Sequence, residues 1–489
     1  MNDEVARILA ITGPTLSSTL VQRLVQEGFT QTAARKRVSR ARGAVRRLDG
    51  LIFPNREQFL FLSSQLGKRD FRRNLSSALQ EARTSYGRGL VALKARRGAL
   101  PVEHFSAAAG LPVENAKGQI SSSRVLSELQ KVGLVTSTPT LEGEVIGLRD
   151  SPLLSKRRRA ALIVEDVTLS ALRPWLVNLG WSSSKALAIR ATNSAPRFGQ
   201  YRFDLVGPTY LSALTEFRRN KVVNGFIVGD ILLDRNIALT DLDPFLSKLG
   251  VLWSQKRPTR FQPMFIGDRF DPDALKVLRA KGCIVARPET IFGIEIAKQL
   301  RDLIRTIERA AEEVTKHPNS VFQLIAKLAK LEGSSLNLRG VVLELIVAHL
   351  FRLDGYSIDI RRQVRSTGGD LAEIDVQASK KKEVVCVECK GKSSGVRVGL
   401  SEIETWLNKT IPRVKSWLKG RDDVPAKRRF EFYASTGYDN EALGFITGFS
   451  ESSGSQSIRF YNGEDLILKL RENGESSLIE IFREHFRAD

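Results

Sequence analysis

The chain has 489 residues, 42% hydrophobic and 27% charged, a balance expected of a soluble globular protein and, at roughly 150 residues per domain, of about three domains. Its 76 Lys and Arg against 54 Asp and Glu leave a net charge of +22, which favours a polyanionic partner, nucleic acid ahead of an anionic membrane surface. The start lacks the charged-then-apolar order of a secretory leader, no run approaches the ~18 apolar residues of a membrane span, and the three cysteines (Cys283, Cys386, Cys389) exclude a disulfide framework, so the expected place is the cytoplasm.

Residues 1–68 read as three helices and a short strand pair. In the third helix Val38, Ala41, Val45 and Leu48 recur at helical spacing and form one apolar face, while Arg35, Lys36, Arg37, Arg40 and Arg42 crowd the rest. Two extended runs, Leu51–Phe53 and Phe59–Leu62, flank the turn residues Pro54 and Asn55. That order is what a winged helix-turn-helix requires, with the basic helix as its DNA contact. Residues 69–154 repeat the shape: helix FRRNLSSALQEA, VEHFSAAAG, the turn LPVE, helix AKGQISSSRVLSELQKVG and two strands. Its surface is less basic, so protein packing competes with DNA binding there.

The run SKRRRA at 155–160 predicts a solvated linker. Residues 160–298 then alternate strand and helix, beginning with strand ALIVEDV and helix LSALRPWLVNLG, the pattern of a sheet covered by helices. Residues 300–350 read as helical, with polar breaks at KHPNS and EGSSLNLRG.

The chemistry concentrates in GGDLAEIDVQASKKKEVVCVECKG, residues 368–391. Read as strands, LAEIDVQ places Glu373, Asp375 and Gln377 on one face, and VVCVECKG places Cys386, Glu388 and Lys390 on one face. The short polar ASKKKE makes them a hairpin, which brings Asp375, Glu388 and Lys390 together. Two carboxylates so close repel unless a cation intervenes, and a hard divalent ion such as magnesium takes oxygen ligands. Upstream, Glu344 lies among Gly340, Val341, Val347 and Ala348 on an apolar helix, so it needs a partner or the metal. Cys386 and Cys389 lie three apart on a strand and face opposite ways, which sets the C-x-x-C aside; His104, His317, His349 and His485 have no ligand spacing.

Helix Glu, then Asp, then Glu-x-Lys resembles the PD-(D/E)xK nuclease superfamily, particularly its Mrr-like and Holliday-junction-resolvase-like branches, over about residues 335–470. The resemblance implies a C-terminal α/β restriction-endonuclease-like domain within 300–489, behind tandem winged helices and an α/β middle domain. It implies magnesium, with manganese able to substitute, on Asp375 and Glu388, Lys390 at the attacking water, and Glu344 as supporting acid. The Pro of the family name is absent, since Ile374 precedes Asp375. The implied activity is hydrolysis of phosphodiester bonds in double-stranded DNA, in restriction or anti-phage defence, with a homodimer and partner proteins of a defence system as expected associations. The competing expectation is a DNA-binding regulator or repair factor that keeps the fold and does not cut.

A short repeat links the last two domains. Phe265 followed by Phe270-Asp271-Pro272-Asp273-Ala274-Leu275 matches Tyr433 followed by Tyr438-Asp439-Asn440-Glu441-Ala442-Leu443. On that match FDLVG (203–207) stands at the metal Asp and GFIVGD at Glu-x-Lys, without its acid and lysine, as in an inactive copy; Asp204 and Asp230 read as plain polar residues at strand ends.

Overall fold

The computed structural model describes residues 4–115, 119–140, 143–183, 186–190, 195–218, 221–255, 259–294, 297–298, 301, 304, 336–381, 383–419, 427–451 and 457–486. The chain divides into two units, one of residues 1–138, 144–155 and 181–286, the other of 139–143, 156–180 and 287–489. Both mix helix and sheet. The expected helical breaks at KHPNS and the start of EGSSLNLRG, and His317 with them, lie outside the described residues. Among the described residues no helix is long and apolar enough to cross a membrane.

The first unit opens with α1 (Glu4–Thr12), α2 (Ser17–Gln26) and α3 (Gln31–Arg40), packed through Val5, Ile8, Leu20, Leu24, Ala34 and Val38. The hydroxyl of Thr30 accepts from Ala33 N and starts α3. The helix ends earlier than its periodicity predicts. Arg47 donates to the carbonyls of Val38, Ser39 and Ala41, satisfying the helix's last acceptors, and Val45–Arg47 becomes a strand instead. Strand Phe59–Leu62 pairs with Val45–Arg47 and Thr15–Leu16, whereas Leu51–Phe53, expected as a strand, is not one.

Next come α4 (Arg69–Glu81), α5 (Ser85–Ala95), α6 (Val102–Ala109) and α7 (Ser122–Lys131), with a three-stranded sheet of Ala99–Pro101, Gly143–Leu148 and Val135–Thr140. Helix α5 has no counterpart in the sequence reading. Its Gly87 looks like a helix breaker, yet a Cβ there would stand 2.2 Å from the Leu79 carbonyl oxygen, so glycine is what lets α5 cross α4 closely.

The stretch expected as linker and strand is one helix, α8 (Lys156–Asn178), which belongs to the second unit. Two arginines of its charge run, Arg158 and Arg159, are buried rather than solvated. Arg158 meets Glu165, two turns on, through bonds of 2.9 and 3.2 Å, with both side chains almost fully covered. Charge runs read as solvated when their partners are out of view, and here one partner is seven residues away.

Residues 181–286 form a five-stranded sheet whose strands are neighbours in chain order: β1 (Ala188–Ile189), β2 (Leu205–Thr209), β3 (Gly225–Ile237), β4 (Phe261–Phe270) and β5 (Ile284–Ala286). The first two junctions are antiparallel and the last two parallel. Helix α9 (Asp243–Trp253) joins β3 to β4 and α10 (Pro272–Ala280) joins β4 to β5, as parallel neighbours require.

In the second unit α11 (Leu336–Leu353) precedes β6 (Ser357–Arg365), β7 (Leu371–Lys380), β8 (Glu383–Lys390), β9 (Lys427–Ala434) and β10 (Ile458–Tyr461). The order is again sequential, and the junctions are again antiparallel, antiparallel, parallel, parallel. Helices α12 (Leu400–Thr405), α13 (Ile411–Lys419) and α14 (Asn440–Glu451) make the crossovers, and Trp406, Val414, Phe430 and Phe432 build the core on one sheet face. Helix α12 is capped by Glu402, whose Oε1 accepts from Gly399 N at 3.4 Å. Two further helices, α15 (Gly463–Glu472) and α16 (Ser476–Phe486), end the described chain.

Candidate active site

The β7–β8 hairpin turns tightly, with Lys380 paired to Glu383, and its ladder runs back to the pair Val376–Val387. One step further lie Asp375 and Glu388. There the ladder gives way to a side-chain bond, Cys389 N donating to Asp375 Oδ2 at 2.7 Å. Lys390 Nζ donates to Glu388 Oε1 at 2.7 Å. One oxygen of each carboxylate is engaged in this way.

On the other side of β7, the pairs Ile360–Val376 and Arg362–Ile374 bracket Arg361 opposite Asp375. Arg361 has φ +52°, a left-handed conformation that costs a non-glycine residue of order 1 kcal/mol or more. From that position its guanidinium grips Glu344 on α11 through bonds of 2.7 and 2.9 Å. Glu344 is 5% exposed, so this pairing removes the cost of an unmatched buried carboxylate. Glu373, two residues before Asp375, is likewise matched, by Arg159 of α8 at 2.6 Å.

The ionisation of Asp375 and Lys390 responds to burial and to the charges around them. Burial holds the Asp375 carboxyl well above the usual carboxylate range, and Glu388 and Glu344 push it further up. Burial acts to lower Lys390, but Glu388 and Asp375 outweigh it and keep the ammonium above its ordinary value. Glu344, Asp375, Glu388 and Lys390 are thus brought together electrostatically. Cys386 is pushed up to about 12 by burial, which keeps that thiol protonated and unreactive.

The basic residues lie in the first unit. Arg35, Lys36 and Arg40 are exposed on α3, and Arg42 is exposed just past its end. Arg37 bonds Glu4 at 2.9 Å and sits 4.4 Å over the Phe29 ring, so it also holds the helix in place. Arg361 and Arg159 are the residues that sequence reasoning missed. Their partners lie 17 and 214 residues away, and no local pattern announces either pairing.

Among the described residues no group of three or more His, Cys, Asp and Glu is arranged to hold a metal ion. With Glu344 committed to Arg361, the acids left for a cation are Asp375 and Glu388. Their chemistry fits magnesium, which binds through one or two carboxylates and completes its shell with water and substrate phosphate oxygens. Burial and then the repulsion from Glu388 raise Asp375, and a divalent cation would relieve that repulsion.

No family model matches the chain, and no curated protein matches it. Among solved structures it is similar to a protein of unknown function, AF1548, at 21% identity over 27% of this chain and 67% of that one, with a TM-score of 0.21. It is also similar to the restriction endonuclease FokI bound to DNA, at 12% identity over 92% of this chain and 80% of that one, with a TM-score of 0.22. At these TM-scores neither likeness fixes the fold or the activity of this chain.

Proposed function

We propose that the chain is a magnesium-dependent DNA endonuclease with a restriction-endonuclease-like C-terminal domain and winged-helix modules that position double-stranded DNA. The observation that carries this reading is the cluster of Asp375, Glu388 and Lys390 at the end of the β7–β8 ladder, with Glu344 and Arg361 behind it. Asp375 and Glu388 would hold magnesium or manganese, which when bound polarises the scissile phosphate and acidifies a water. Lys390, fully charged and tied to Glu388, orients that water and offsets the charge that grows on the phosphate oxygens. Arg35, Lys36, Arg40 and Arg42 supply phosphate contacts on the DNA backbone, in keeping with the +22 charge of the chain. One such centre per chain favours a homodimer for cutting both strands, and restriction or anti-phage defence, with further partner proteins, is the role that suits these parts.

The test is supercoiled plasmid incubated with purified protein and magnesium. Conversion to nicked or linear DNA is expected, and Asp375→Ala should abolish it while DNA binding persists. Equal cleavage by Asp375→Ala overturns the assignment.

A further inference from the structure

The two five-stranded sheets share more than a strand count. Their strands follow one order with one set of directions, and the sequence repeat lands on the same places in both. Phe265 lies in β4 and Tyr433 in β9. The following helices begin one residue after Asp271 and Asp439, whose carbonyls accept from Leu275 N and Leu443 N.

Register then shows what stands where. Phe265 pairs with Asp230, and Tyr433 with Cys389, so Gly229 takes the place of Glu388 and Ile231 that of Lys390. Leu205 pairs with Gly229 and takes the place of Asp375, one step beyond Val376–Val387. All three positions that would carry the chemistry are apolar or bare.

The charges have moved one residue along, onto Asp204 just before β2 and Asp230 inside β3, and both are buried in ion pairs rather than being plain polar residues. Asp204 pairs with Arg190 at 3.0 Å, and Asp230 with Lys248 of α9 at 2.6 Å. Lys248 is 0% exposed and also donates to the Ala107 carbonyl at the end of α6. Arg96, just after α5, donates to the carbonyl of Ile231, the residue in the lysine's place. Arg235 donates to the Ala95 carbonyl, and Arg97 pairs with Asp234 at 2.9 Å. Gly110, at φ +61°, lets the α6 terminus approach α9 so closely that a Cβ would stand 2.0 Å from the Pro244 oxygen.

We infer that residues 187–286 are a second copy of the C-terminal fold in which the catalytic centre has been converted into a docking site for the helical region α4–α7. The description of the lost centre rests on the nuclease reading; the docking role does not. The copy takes up no metal and serves to hold α5 and α6 rigidly against its β3 end.

Hydrogen exchange on the full chain tests the docking. The variants are Lys248→Met with Asp230→Asn, which removes the buried pair without stranding a charge, and separately Arg96→Met. In each, amides of residues 85–109 should exchange faster by roughly tenfold or more, with α1–α3 unchanged. Unchanged exchange at 85–109 in both folded variants overturns the docking role. Calorimetric titration with Mn2+ tests the lost centre: binding should disappear in Asp375→Asn, and a site surviving there overturns the conversion. Absence of binding in the unaltered chain would instead overturn the nuclease reading, with the docking still decided by exchange.

Discussion

Arg361 reaches Glu344 with two nitrogens, at 2.7 and 2.9 Å, from a left-handed position in β6 that stands opposite Asp375. Strain in a strand persists only where the surroundings over-determine it, and here the pairing of a buried acid on α11 depends on it. Arg361→Ala leaves Glu344 buried and unpaired, so the second unit should lose about 3–5 kcal/mol. Urea titration followed by hydrogen exchange in α11 measures this. Adding Glu344→Leu should return most of the loss, and an Arg361→Ala variant as stable as the parent would show that the pair contributes nothing.

Asp375 gives a pH signature in the presence of a chelator. Its folded-state pKa is raised above the ordinary 3.8, so the native state binds the proton more tightly than the unfolded chain. The stabilisation from this group is complete below 3.8 and is lost as pH rises through the folded value. Relative to Asp375→Asn, the parent should therefore lose stability as pH climbs from acid toward neutral. Magnesium should shift that loss in the parent and leave the variant unmoved. A parent that gains stability over the same range would contradict the raised value.

Lys390→Met should reduce plasmid nicking by roughly 10²–10⁴-fold, the range for loss of a positioned group that acts on the reacting water. Gel-shift affinity at fixed salt should stay near that of the parent. A loss of affinity as large as the loss of cleavage would make Lys390 a binding residue instead.

The basic α3 face makes a prediction about salt. Each of Arg35, Lys36 and Arg40 that neutralises one phosphate contributes about 0.9 to the slope of log affinity against log salt, so the triple alanine variant should flatten that slope by about 2 to 3. Binding titrations from low to moderate salt read it directly. An unchanged slope would place the DNA contact elsewhere.

The hairpin was legible because alternation on β7 and β8 is a local property, and Asp375, Glu388 and Lys390 lie on the two strands of one hairpin. The repeat could be seen as sequence, but its consequence could not. One residue of register separates Asp204 and Asp230 from the positions that match Asp375 and Glu388, and only strand pairing fixes register. Helix α8 was misread because ALIVED looks strand-like by composition, and its arginines looked solvated with Glu373 so far along the chain. Helix α3 was read too long because Val45 keeps helical spacing after Arg47 has already closed the helix end.

The ion pair between Arg159 and Glu373 also bears on the order in which the protein is made. At a synthesis rate of roughly 5–20 residues per second, the 214 residues between them take about 10–40 s to emerge. During that interval α8 waits with its arginine unmatched, while residues 181–286 can already complete their own sheet. The strand bearing Asp375 emerges after both, so a nascent chain on the ribosome completes the basic helix α3 and the sheet of residues 181–286 well before the candidate site can assemble.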